Sequence, residues 1–151
     1  MAAPTVTAEV VLDAIKARLD LITGANYNTA PSKAIGAPRD AMPEGAGEAV
    51  YLEHEACDML LDDAGGPDKE RATYHVWCVS RDSIDGQRKA LRLARDVQKA
   101  IRSGFAALEA AGANAGAALG RYMRDERAEQ AIGATVYSFT LTADWIVDLS
   151  T

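Results

Sequence analysis

From Thr135 to Leu149 the chain alternates: Tyr137, Phe139, Leu141, Trp145 and Val147 are apolar or aromatic, and Ser138, Thr140, Thr142, Asp144 and Asp148 stand between them. A period of two held over that length, in residues that are largely β-branched or aromatic, predicts a long strand with one buried face and one polar face. Ala49–Glu55, with Val50 and Leu52 opposing Tyr51 and Glu53, and Thr73–Ser80 predict two more strands. The run Asp62-Asp63-Ala-Gly-Gly-Pro-Asp68 between them is rich in turn formers, so the pair reads as a hairpin. Arg121–Glu129 predicts a charged edge strand, turned near Ile132-Gly133 into the last strand.

Two stretches change to helical spacing. In Ala8–Ile22, with Thr7 as N-cap, Val10, Val11, Ala14, Ile15, Ala17, Leu19 and Ile22 form an apolar stripe beside Asp13, Lys16, Arg18 and Asp20, and Gly24 is a natural stop. In Ile84–Leu108 the stripe is Ala90, Leu93, Ala94, Val97, Ala100, Ile101, Gly104 and Leu108, with Arg88, Lys89, Arg92, Arg95, Asp96 and Lys99 largely opposite. Between helix and hairpin, about residues 24–48, Gly, Ala, Asn and Ser mix with Pro31, Pro38 and Pro43 without a period, which predicts an extended arm or long loop. Ala110–Gly120 reads as a flexible connection, with a packed helical extension as the alternative. The order predicts an α+β fold: a single domain over 1–151, with an antiparallel sheet of about four strands, two main helices on one face, and the arm.

At 151 residues one core is expected. The 48% hydrophobic and 25% charged content is that of an ordinary globular chain, and no apolar run approaches the ~20 residues of a membrane span. The segment Met-Ala-Ala-Pro-Thr-Val-Thr has no secretory pattern, so the protein is expected to stay in the cytoplasm of the cell that makes it. A net charge of −6 argues against a surface that grips phosphates, while leaving room for a wall past which DNA slides.

The sharpest candidate chemistry is His54-Glu-Ala-Cys57 with His75-Val-Trp-Cys78, which together use every His and Cys of the chain. These four are a zinc-compatible ligand set. Against it, both pairs fall in or beside strands, where residues three apart point to opposite faces. No metal or other cofactor is therefore expected. A Cys57–Cys78 disulfide is conceivable across a hairpin, though a reducing cytoplasm disfavours it. Neither cysteine has the surroundings of a nucleophile, and no phosphate-binding glycine motif occurs, so no enzymatic activity is expected. Acidic groups at Glu53, Glu55 and Asp58, at Asp62, Asp63 and Asp68, and at Asp125, Glu126 and Glu129 read first as solvated faces. The basic run on the second helix does too, unless acids of a neighbouring copy face it.

The order of elements carries a resemblance. The strand Ala72-Thr-Tyr-His-Val-Trp-Cys-Val-Ser80, the helix Ala90-Leu-Arg-Leu-Ala-Arg-Asp-Val-Gln-Lys-Ala-Ile101 and the strand Tyr137-Ser-Phe-Thr-Leu-Thr-Ala-Asp-Trp145 are three of its parts, with the N-terminal amphipathic helix and the Pro-rich arm as the others. Together they resemble the tail terminator proteins (tail completion or minor tail proteins) of long-tailed bacteriophages and related gene transfer agents. The Ala- and Arg-rich composition suits a GC-rich host. The resemblance implies a structural virion protein of the tail neck, assembled in the host bacterial cytoplasm. It implies a hexameric homo-oligomer that caps the tail tube protein, ends tube polymerisation and offers a docking surface to the head connector or stopper protein. DNA would pass through the lumen without specific binding. On this reading Tyr27, Arg39 and Asp40 of the arm Asn26–Gly47, and Asp62, Asp63, Asp68 and Arg71 of the turn, are the contacts to neighbours, and deleting 28–46 abolishes the ring while leaving the subunit folded. The alternatives are a connector or stopper of the neck, a small metal- or ligand-binding α+β module, and a hydrolase or transferase whose site the sequence does not reveal.

Overall fold

The alternation at the C-terminal end is realised as one of the inner strands of a five-stranded sheet in the computed structural model of the chain. The structure describes the backbone of residues 6–35, 47–60, 68–81, 84–104, 117–131 and 134–147, and the side chains of 6–31, 47–59, 69–81, 84–104 and 137–146. The elements run α1 (Thr7–Leu19), β1 (Ser32–Ile35), β2 (Glu48–Leu60), β3 (Asp68–Ser80), α2 (Gly86–Ser103), β4 (Ala117–Ala131) and β5 (Ala134–Val147). The strand order is β1-β2-β3-β5-β4, with β1 parallel to β2 and every other pair antiparallel. The fold is α+β, as the sequence pattern predicts.

Alternation sorts each inner strand. Val50 and Leu52 of β2, Ala72, Tyr74, Val76 and Cys78 of β3, and Phe139, Leu141, Ala143 and Trp145 of β5 are buried on one face and stand opposite one another in register: Leu52 to Val76 to Phe139, then Tyr74 to Leu141, then Ala72 to Ala143. Onto this face α2 sets Leu93, Ala94, Val97, Ala100 and Ile101, and α1 sets Val11, Ile15 and Leu19, followed by Ile22. Each large side chain taken from water here contributes about 1.5–3 kcal/mol. Arg18 of α1 ties the helices together. Its Nε donates to the Ala100 carbonyl and a terminal guanidinium nitrogen donates to Ser103 Oγ, both at 2.9 Å. Gly104 leaves the room: a Cβ there would land on that guanidinium.

The strands are longer than their hydrophobic runs, because ladder pairing continues past the helix-covered core. β2 and β3 stay paired from Glu48↔Ser80 out to Leu60↔Lys69. The helices are shorter than predicted: α1 stops at Leu19 and α2 spans Gly86–Ser103. Thr7 is inside α1, whose N-cap is Val6.

The arm is corrected most. Ser32–Ile35 is an edge strand, paired from Ser32↔Ala49 to Ile35↔Leu52. Before it, Asn28 and Thr29 are fastened to Asp96 of α2: the Asn28 backbone N–H and Nδ2 donate to Oδ1 at 3.2 Å each, and the Thr29 N–H and Oγ1 donate to Oδ2 at 2.8 and 2.6 Å. Asp96, placed by the sequence pattern on the solvated side, is only 1% exposed. A deletion of 28–46 would therefore strip a strand and uncover a buried carboxylate. It cannot leave the subunit intact.

Candidate functional site

Because both helices lie on one face, the side chains that point the other way, Ala49, Tyr51, Glu53, Thr73, His75, Trp77, Val79, Ser138, Thr140, Thr142 and Asp144, form a second face with no described helix over it. Its centre is a polar array. His75 Nε2 meets Glu55 Oε2 at 2.5 Å and its Nδ1 meets Thr140 Oγ1 at 3.2 Å, while Trp77 lies tilted against the imidazole with ring centroids 5.4 Å apart. Toward the β2–β3 turn, Arg71 makes a two-pronged pair with Asp144, Nε to Oδ1 at 2.7 Å and the second nitrogen to Oδ2 at 3.1 Å. That pair, with the further pull of Asp58, raises the Arg71 guanidinium above its ordinary value. Exposed as it is, the pair is screened by solvent and contributes little to stability. At the other end Tyr51 is fully buried, and its phenol is raised by burial, an effect that the charge of Arg81 opposes.

The four candidate metal ligands are not brought together. A register shift between His54 and Ala56 inserts Glu55 as an extra residue, so His54 and Cys57 point the same way, with Nε2 and Sγ 3.1 Å apart. The rule that residues three apart oppose each other fails at this bulge. It holds in β3, where His75 lies on the helix-free face and Cys78 is buried under the helices. Among the described residues no group of three or more His, Cys, Asp or Glu is arranged to hold a metal. The disulfide is ruled out by register. Cys57 pairs with Ala72 and Cys78 with Val50, six residues apart along β3, or about 20 Å, whereas a disulfide needs Cα atoms within about 7 Å.

Cys57 is exposed, yet its thiol is pushed up to about 11, first by desolvation and then by the charge and hydrogen bond of Glu70 and the charge of Asp58. The unfolded thiol ionises at its ordinary 9.0 while the folded one keeps its proton. Stability contributed by this group is therefore present below pH 9 and is lost as pH rises to about 11. Chemical denaturation at a series of pH values should show a shallower decline over that window for Cys57→Ala than for the parent chain.

Of the contacts implied by the resemblance, Arg71 sits on the helix-free face, and Asp68 begins β3 with its backbone opposite Val147. Tyr27 packs partly against the core, and the Lys99 ammonium lies 4.7 Å from its ring centre while bonding the Asn26 carbonyl. Arg39, Asp40, Asp62 and Asp63 lie outside the described residues. What sequence reasoning missed is Asp96, whose only signal was an acid among bases on an otherwise cationic helix.

No helix among the described residues is long and apolar enough to cross a membrane. No protein-family model matches the chain, and no curated protein matches it. Among solved structures, it is similar to a chain of the structure described as the virion of a native gene transfer agent (GTA) particle, at 14% identity and a TM-score of 0.48, over 95% of this chain and all of that one.

Proposed function

We propose that the chain is a structural virion subunit of the tail neck, a tail terminator that closes into a ring on the finished tail tube, stops its growth and presents a surface to the head connector. The observation that carries this reading is the one-sided build. Both described helices sit on one face of a sheet whose outer strands, β1 and β4, have no strand beyond them among the described residues, so two edges and the exposed part of the other face, around Glu55, Asp58 and Arg71, remain for neighbours. A subunit that offers different surfaces on its two sides associates heterologously, and heterologous contacts make rings when the rotation closes. The resemblance in five segments gives the ring its place. The net charge of −6 suits a channel wall from which DNA phosphates are held off rather than gripped.

Light scattering over a concentration series, followed by electron microscopy, tests the proposal. The expected result is a species near six times 16.0 kDa, formed either by the chain alone or on adding tail tube protein. Capture by tube protein supports a terminator. Capture by stopper or portal complex with no affinity for tube protein would instead make the chain a connector, and a monomer that ignores all three would overturn the reading.

A further inference from the structure

Helix α2 carries charge of one sign on its outer side. Arg88, Arg92, Arg95, Lys99 and Arg102 are exposed and recur every three or four residues, making one stripe about 21 Å long. The helix has a single carboxylate, Asp96, and that is turned inward onto Asn28 and Thr29. Leu91 lies within the stripe, 53% exposed. Four guanidiniums beside an exposed leucine have the composition of a protein interface, in which Arg is enriched and reads carboxylates bidentately.

The matching surface is on the same molecule. The helix-free sheet face carries a row of carboxylates, Glu53, Glu55 and Asp58, along β2 and Asp144 on β5, with the cations Lys69 and Arg71 toward the β2–β3 turn and Arg81 at the Tyr51 end among the described residues. The β2 acids lie opposite β3 from His75 to Arg71, four ladder steps or about 13 Å of strand, which fits within the length of the basic stripe. The two surfaces lie on opposite sides of the two-layer subunit, so one copy cannot satisfy both by itself. Each copy can give one to a neighbour on either side.

We propose that the occupant of the basic stripe is a second copy of this chain, with α2 of one subunit laid across the acidic sheet face of the next. This rests on the ring reading above and supplies its contact. Like charges on either surface would repel, so the pairing also fixes the direction of travel around the ring.

The test uses two variants, with far-ultraviolet circular dichroism and a melting curve to establish that each is folded. Arg92→Glu/Arg95→Glu puts two carboxylates at the centre of the stripe and leaves only Arg88, Lys99 and Arg102 as its cations, and Glu53→Arg/Asp58→Arg makes the sheet face basic; Glu55 and Asp144 are left to hold His75 and Arg71. Each variant alone should lose ring formation at least tenfold under the conditions where the parent assembles. An equimolar mixture should restore it, because the carboxylates introduced into one stripe find the arginines introduced into the other variant's sheet face, in alternation with the parent pairing. If either variant alone assembles like the parent chain, or if the mixture fails to recover, the proposed contact is overturned while the ring reading stands. If the parent chain forms no ring even with tube protein, the ring reading falls and this contact falls with it. Double-stranded DNA at low salt, followed by fluorescence anisotropy, separates the other occupant: binding that Arg92→Glu/Arg95→Glu abolishes without touching assembly would reassign the stripe to phosphates.

Discussion

Asp96→Ala is expected to cost about 3 kcal/mol and to lower the thermal midpoint by roughly 10 °C. The carboxylate is 1% exposed and takes four hydrogen bonds, two on each oxygen, from the backbone and side chains of Asn28 and Thr29. Truncation leaves the two buried donors of Thr29 facing a space that water reaches poorly, and an orphaned donor costs more than a hydrogen bond contributes when made. Asp96→Asn should recover little, since its amide presents two N–H groups to a place already crowded with donors. Thr29→Val removes only the 2.6 Å hydroxyl bond and should cost about 1 kcal/mol. Thermal or urea denaturation of the three variants reads the order directly. A loss for Asp96→Ala no greater than that for Thr29→Val would mean that the loop is not held by this carboxylate.

The same residue shows what the sequence could and could not tell. Inner strands are legible because their periods come from burial on one side: Tyr137, Phe139, Leu141 and Trp145 alternate because a helix layer covers one face and leaves the other to Ser138, Thr140 and Asp144. Helix interiors are legible for the same reason, through Leu93, Val97 and Ile101. Asp96 was hidden, because an acid on a helix reads as solvated unless its partners are known, and those partners are 67 and 68 residues away. β1 was hidden by its length: four residues between a proline and a glycine show no period, and its pairing with β2 is set by the fold rather than by local pattern.

The candidate site was legible residue by residue and misread in its geometry. His54, Cys57, His75 and Cys78 are where strand assignment puts them, yet one extra residue in β2 brings the first two to one face. Bulges carry no dependable sequence mark. The basic run on α2 was visible from the start. Only the turning-in of Asp96 makes it a surface of one sign, and only the sheet order places the acids of β2 on the opposite layer. The two surfaces that would meet in a ring are therefore properties of topology more than of motif.

Tyr74→Ala should be the most damaging single truncation on β3, about 4 kcal/mol, because it removes a fully buried ring at the middle of the sheet together with a tie between layers. The ring stands opposite Leu141 of β5 and edge-on to His54, with centroids 5.4 Å apart, and its hydroxyl donates to the Ala8 carbonyl in the first turn of α1 at 2.7 Å. Tyr74→Phe keeps the packing and gives up only the hydroxyl, so it should cost about 1 kcal/mol. The pair of variants separates burial from bonding. Burial first, and then the charges of Cys57 and Glu70, hold the phenol well above its ordinary 10.0. The unfolded phenol ionises first, so the stability Tyr74 contributes is complete below pH 10 and declines as pH rises beyond it. Tyr74→Phe should therefore lose less stability than the parent chain between pH 10 and 12 while being the weaker of the two at pH 7, with the two denaturation curves converging in alkali. Parallel curves over that range would mean that the hydroxyl is solvated in the folded chain and that the tie from β3 to α1 is not made.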